Sequence, residues 1–193
     1  MSLQLPQPPA AALRAVLTAL DSPSATRSAA LTQATRPLVP AHPLPVHLLA
    51  PDTPGGTPLT AAPRTGWRFL IRSGEEVVAA ADTLETPDGH SFGHFTEGPY
   101  LVSTLRALQQ ARLHCSAARA TYQPRLLAVP GHYMTALWLR PTLGPANSPD
   151  LLVPLAPAPL GVTAHRVHVA DELLPALARA RGGGALLASG TQG

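Results

Sequence analysis

The segment from Pro37 to Pro63 holds eight prolines in 27 residues, with Gly55 and Gly56 among them. Proline removes a backbone N–H and biases the residue before it toward extended geometry, so the segment cannot be regular helix or a central strand. It reads as a semi-rigid, polyproline-like linker. Its apolar residues Leu38, Val39, Val46, Leu48 and Leu49 mark a linker that lies partly along a surface. The chain is thereby divided. Residues 1–36 form an N-terminal helical arm, 37–63 the proline-rich linker, 64–181 the main folded body, and 182–193 a flexible tail.

Regular patterning lies on both sides of the linker. Over residues 8–21, Leu13, Val16, Leu17 and Leu20 recur at helical spacing, and Asp21-Ser22-Pro23 ends the run. Ser24 is placed to cap a second helix reaching Thr35. Beyond the linker, Trp67, Phe69 and Ile71 alternate with Arg68, Leu70 and Arg72, which is strand periodicity. Ser73-Gly74-Glu75 supplies a turn, and residues 76–84 return to complete a hairpin. A short third strand covers 90–95. Gly98-Pro99 opens the best helix, over 99–113, with Leu101, Leu105 and Leu108 inward and Ser103, Arg106 and Gln110 facing away.

The second half is less regular. Residues 122–129 and 132–139 read as strands joined at Pro130-Gly131, although Tyr133, Met134, Leu137 and Trp138 also suit a helix. Residues 150–155 form a further strand, which Pro154 assigns to a sheet edge. Residues 162–169 are a weaker strand. A last helix starts near Asp171, turns Leu173, Leu174 and Leu177 inward, and stops at Gly182-Gly183-Gly184. No internal repeat is visible. The predicted fold class is α+β: a mostly antiparallel sheet with one long helix packed on a face, preceded by the arm and the linker.

Composition excludes several classes. Hydrophobic residues make up 45% and charged residues only 13%, which rules out a highly charged disordered chain or a long coiled coil. All fourteen basic residues are arginine, a pattern of high-GC coding, and the net charge is only +3. That falls short of the dense basic stripe that phosphate-backbone binding needs, so a nucleic-acid partner is not expected. The single Cys115 implies no disulfide and no oxidising compartment. The N-terminus makes a poor signal peptide and no apolar run approaches the length of a membrane span, so a cytoplasmic setting without membrane contact is expected.

Chemistry motifs are few. No phosphate-binding glycine loop, nucleophile elbow or HExxH motif occurs, and no cofactor is expected. His90 and His94, near Asp88 and Glu97, are the best metal candidates. Their glycine-rich, Phe-alternating context is that of a strand, which would hold them ~13 Å apart, too far to share an ion. His165 and His168 point to opposite faces of their strand. Cys115 follows His114 at a helix end, and reads as a small half-buried hydrophobe rather than a nucleophile. Ser73, Ser91 and Ser103 have no assignable His and Asp partners.

Tyr133-Met-Thr-Ala-Leu-Trp-Leu-Arg, followed by residues 150–159, resembles a segment of a high-GC bacterial protein family of unknown function, and that resemblance implies no activity. The expectation from sequence is a non-enzymatic protein-interaction or scaffold domain, with self-association or a protein partner. The alternatives are a hydrolase using the His90/His94 region and a weak arginine-mediated nucleic-acid binder. Leu151, Leu152, Val153 and Leu155, apolar and flanked by prolines, mark the expected interaction edge.

Overall fold

The computed structural model describes residues 3–50 and 59–188, with side chains as far as residue 180. The predicted α+β class holds. Three short helices come first: α1 (Ala10–Leu20), α2 (Pro23–Thr26) and α3 (Ala29–Gln33). Strands β1 (Leu38–Leu48), β2 (Arg64–Ser73), β3 (Glu76–Thr86) and β4 (Gly89–Thr96) lead into the long helix α4 (Pro99–Ala117). Strands β5 (Thr121–Val129), β6 (Met134–Leu143), β7 (Leu151–Pro154) and β8 (His168–Val169) lead into α5 (Ala170–Ala188).

All eight strands lie in one sheet, in the order β4-β3-β2-β1-β5-β6-β7-β8. Every pairing is antiparallel except the central one, where β1 and β5 run parallel. The sheet therefore consists of two mirrored halves, each of four strands followed by a helix. Helix α4 packs on one face with Leu70 and Leu137, whereas α5 packs on the other with Leu127 and Trp138. Helix α1 shares the face of α5, over Trp67, Phe69 and Ile71. That face thus carries two separate apolar clusters, and the α4 face carries one.

The structure corrects the linker. Residues 38–48 are not a connection between domains but the fourth of eight strands. The pairing explains how a strand with Pro40, Pro43 and Pro45 can sit there. Along β2 it is paired over nearly its whole length, from Leu38↔Ser73 to His47↔Arg64. Along β5 it is paired only at Val46, His47 and Leu48, beyond the last proline. Each proline thus needs a ladder partner on one side only, as at a sheet edge. The space beside the start of β5 is taken instead by the N-terminus, where Leu3 bridges Tyr122 in parallel. Residues 51–58, including Gly55 and Gly56, lie outside the described residues.

Other differences are local. The expected helix from Ser24 to Thr35 is broken into α2 and α3, capped by the Ser22 and Ser28 hydroxyls. Ser103, expected on the outer side of α4, is 3% exposed. The strand reading of 132–139 holds over its helical alternative, as Met134–Leu143, while of residues 162–169 only His168 and Val169 are strand. Helix α5 runs through Gly182-Gly183-Gly184 to Ala188 instead of stopping there, and residues 189–193 of the expected tail lie outside the described residues.

Candidate functional site

The expected interaction edge is not an edge. Strand β7 is paired with β6 on one side and with β8 on the other, through Leu151↔Val169 and Leu152↔His168. The Ala170 N–H reaches the Asp150 carbonyl, and the His165 N–H reaches the Pro154 carbonyl, at 2.9 and 2.8 Å. Residues 165–170 therefore close the whole outer side of β7. Leu151, Leu152, Val153 and Leu155 are core, none more than 4% exposed. The proline signal at Pro154 was genuine, but the missing donor points into a loop of the same chain.

The open edge lies at the other end of the sheet, on β4. Its one neighbour is β3, and among the described residues no backbone hydrogen bond runs from 89–96 to any element beyond β3. The outward row of N–H and C=O groups on this eight-residue strand is thus unpaired. Edge strands are usually protected by lysine, arginine, proline or a cover. The sequence His90-Ser91-Phe92-Gly93-His94-Phe95 carries no lysine, arginine or proline, and its one protective device is a bulge at Gly93.

A bulge shapes this edge. Asp82 pairs with His94, but the next residue Thr83 pairs with Phe92, so Gly93 is extra. Skipping one residue resets the side-chain alternation and brings Phe92 and Phe95 to the same face, with ring centroids 4.7 Å apart. They lie at the rim of the α1 cluster. Beside them opens a cavity of about 260 Å³, walled by Ser24, Arg27 and Ser28 of the helical arm and by Phe92 to Phe95 and Glu97. Glu97 fixes that wall, accepting the Ser28 hydroxyl at 3.1 Å and the Ala30 N–H at 2.9 Å. A cleft with two phenylalanine rings on one wall and polar side chains of the helical arm on the other thus adjoins an unpaired backbone row.

On the opposite face, His94 Nε2 lies 3.2 Å from Asp82 Oδ2. The same carboxylate accepts two hydrogen bonds from the Arg68 guanidinium, at 2.6 and 2.7 Å. Burial works against the Arg68 charge, but the paired hydrogen bonds and the charge of Asp82 outweigh it and hold its pKa above the usual value. His90 pairs in register with Glu85, away from His94, and its Nδ1 is buried without a partner. The two histidines are not brought to one point. Among the described residues, no group of three or more His, Cys, Asp or Glu side chains is placed to hold a metal ion.

The other sequence candidates have structural surroundings. Ser103 Oγ lies 2.8 Å from His165 Nε2 and accepts the Ala156 N–H at 2.7 Å. This pair was not foreseen, since the partners are far apart in the chain. The hydroxyl is buried and already engaged by backbone, so the pair ties the 155–165 loop to α4 rather than presenting a nucleophile. Cys115 is 1% exposed and burial pushes its thiol pKa up, the opposite of what a nucleophilic thiolate requires. His168 has a buried Nε2 without a partner.

A second polar region lies between the two apolar clusters on the α1/α5 face. His47, 8% exposed, donates Nδ1–H to the Ala62 carbonyl at 2.9 Å and stands edge-on to Trp138. Arg125 lies over the same indole, and the indole N–H donates to Asp150 at 2.7 Å. A register shift between Val46 and His47 turns Arg64 toward this side, where Glu85 holds it.

Comparison with family models, with curated proteins and with solved structures finds no match to this chain. No helix among the described residues is long and apolar enough to cross a membrane.

Proposed function

We propose that this chain is a protein-interaction domain that takes an extended segment of a partner protein as a ninth strand on β4. The observation that carries the reading is an unpaired eight-residue edge beside the Phe92/Phe95 cleft. In strand addition, main-chain hydrogen bonds supply affinity and pockets for alternate side chains supply specificity, and both elements are present here. The cleft volume suits one apolar side chain of the added strand. A cytoplasmic setting is part of the same proposal, since Cys115 is a buried thiol that needs no oxidising compartment.

The nucleic-acid alternative is less well supported. Arg64 and Arg68 are each engaged by an acid of this chain, which reduces the charge available to a nucleic-acid backbone. For a hydrolase, His94 would need a free base partner, and its Asp82 is already held by Arg68.

The test uses extended peptides selected from a random display library on the purified chain. Amide exchange should show new protection over residues 89–96 when peptide binds. A Ser91→Lys/His94→Lys variant puts charge on the edge, with a lysine ammonium beside Asp82, and should weaken binding by about tenfold or more. Unchanged affinity in a folded variant, or protection confined to other strands, would refute the reading.

A further inference from the structure

A different cavity, remote from β4, lies under the C-terminal half of α4. We propose that it binds a small free oxyanion of the phosphate class, held by His42, Arg72 and Arg112. Its volume is about 260 Å³, and Leu70, Val77, Leu105 and Leu108 form its apolar walls. Its polar groups come from separate elements: His42 from β1, Arg72 from the end of β2, Glu75 from the following turn, and Arg112 from α4. Two arginine side chains that line one cavity from different elements can each donate paired hydrogen bonds to an oxyanion.

Charge at this site is incompletely balanced. Arg72 meets Glu75 at 2.9 Å, but the Glu75 side chain is fully exposed, so solvent screens that pair. Arg112 has no ion-pair partner among the described residues. His42 adds a second kind of evidence. Its backbone is left-handed, with φ 45°, inside the register shift between Ala41 and Leu44. Its Nδ1 is buried and has no hydrogen-bond partner. A non-glycine residue held in that conformation with an orphaned ring nitrogen costs stability, and such costs gather at ligand sites. An anion between Arg72 and Arg112 would supply negative charge to both guanidinium groups, beside the His42 ring that lines the same cavity.

Size limits the ligand. The space is below the ~300–1,000 Å³ of ordinary cofactor sites, which excludes a dinucleotide and suits phosphate, pyrophosphate or a small phosphorylated molecule. Titration calorimetry at low salt with inorganic phosphate, pyrophosphate and succinate tests this. One phosphate or pyrophosphate should bind per chain, and succinate should bind more weakly. Arg112→Ala, at an exposed position that leaves the fold intact, should lower the affinity about tenfold or more. Arg106→Ala, on the same helix but outside the cavity, should leave it unchanged. No saturable heat with either phosphate at millimolar concentration would overturn the proposal. So would equal affinity in Arg112→Ala, equal loss in Arg106→Ala, or tighter binding of succinate.

Discussion

Arg68 grips Asp82 with two parallel hydrogen bonds across β2 and β3, and both side chains are nearly out of water, at 12% and 11% exposure. Removing one member leaves the other charge buried without its partner, which typically costs about 3–5 kcal/mol. Arg68→Ala and Asp82→Ala should each lose stability of that order in urea unfolding. The double replacement Arg68→Met/Asp82→Leu should recover most of it, because two apolar side chains of similar size need no partner. Similar losses in all three variants would show that packing, not charge, dominates here.

Stability should fall as the solution is acidified from neutral. Burial holds the imidazoles of His42, His47 and His165 below the usual histidine value of 6.5, and nearby arginines add to the effect. At His47 the Ala62 hydrogen bond opposes the shift without cancelling it. Between 6.5 and these lowered values the unfolded chain binds more protons than the folded one, so each drop in pH favours unfolding. His47, the most buried of the three, can contribute a slope of at most ~1.4 kcal/mol per pH unit. Urea midpoints at pH 7.5, 6.5 and 5.5 should decrease in that order, and His47→Gln should flatten the trend. A further decline is expected where Glu85 protonates, since the Arg64 hydrogen bond holds its carboxyl below the ordinary value.

Residues 64–181 should not fold alone. Deleting residues 1–63 removes β1, and with it the joint between β2 and β5 and the α1 cover over Trp67, Phe69 and Ile71. The truncated chain should lack near-ultraviolet circular dichroism and amide dispersion. Limited proteolysis of the whole chain should also spare residues 38–48. A well-dispersed spectrum from the fragment would contradict the single-sheet description.

Gly66 is fixed by the close passage of β3, since a Cβ there would run into the Thr83 carbonyl oxygen. Backbone cannot yield as a flexible side chain can. Gly66→Ala should therefore destabilise by at least ~2 kcal/mol in thermal or urea unfolding. Gly74, where a Cβ would meet nothing within 4 Å but φ is +59°, should show a smaller loss when changed to Ala.

Local patterns carried most of the element content. The Trp67-Phe69-Ile71 alternation and the Gly98-Pro99 helix start are visible to anyone counting periods, and β2, β3, β4 and α4 lie where those periods put them. Long-range pairing was not visible. Whether Pro40 breaks a ladder depends on whether β5 lies beside it, and nothing near Pro40 in the chain reports that. The same holds for Pro154, whose covering segment begins at His165. The candidate edge was displaced for this reason: a strand's apolar composition does not say how many neighbours it has. The Phe92-Gly93-His94-Phe95 sequence did hold a signal for the β4 cleft, because a glycine within a strand pattern is the mark of a bulge.

The parallel joint between β1 and β5 has a kinetic consequence. Within each half, sheet neighbours are consecutive in the chain, separated by between two residues (74–75) and 15 (49–63), so the meanders can zip up by steps of lower loop-closure cost than the central joint. Val46 and Leu126, by contrast, meet only after nearly half of the chain has been brought round. Relative contact order places such joints late in folding. Until the joint closes, each half exposes a raw strand, β1 or β5, that fits the other half of any neighbouring copy as well as its own. Concentrated refolding should therefore favour exchanged dimers, in which the first half of one molecule completes the second half of another.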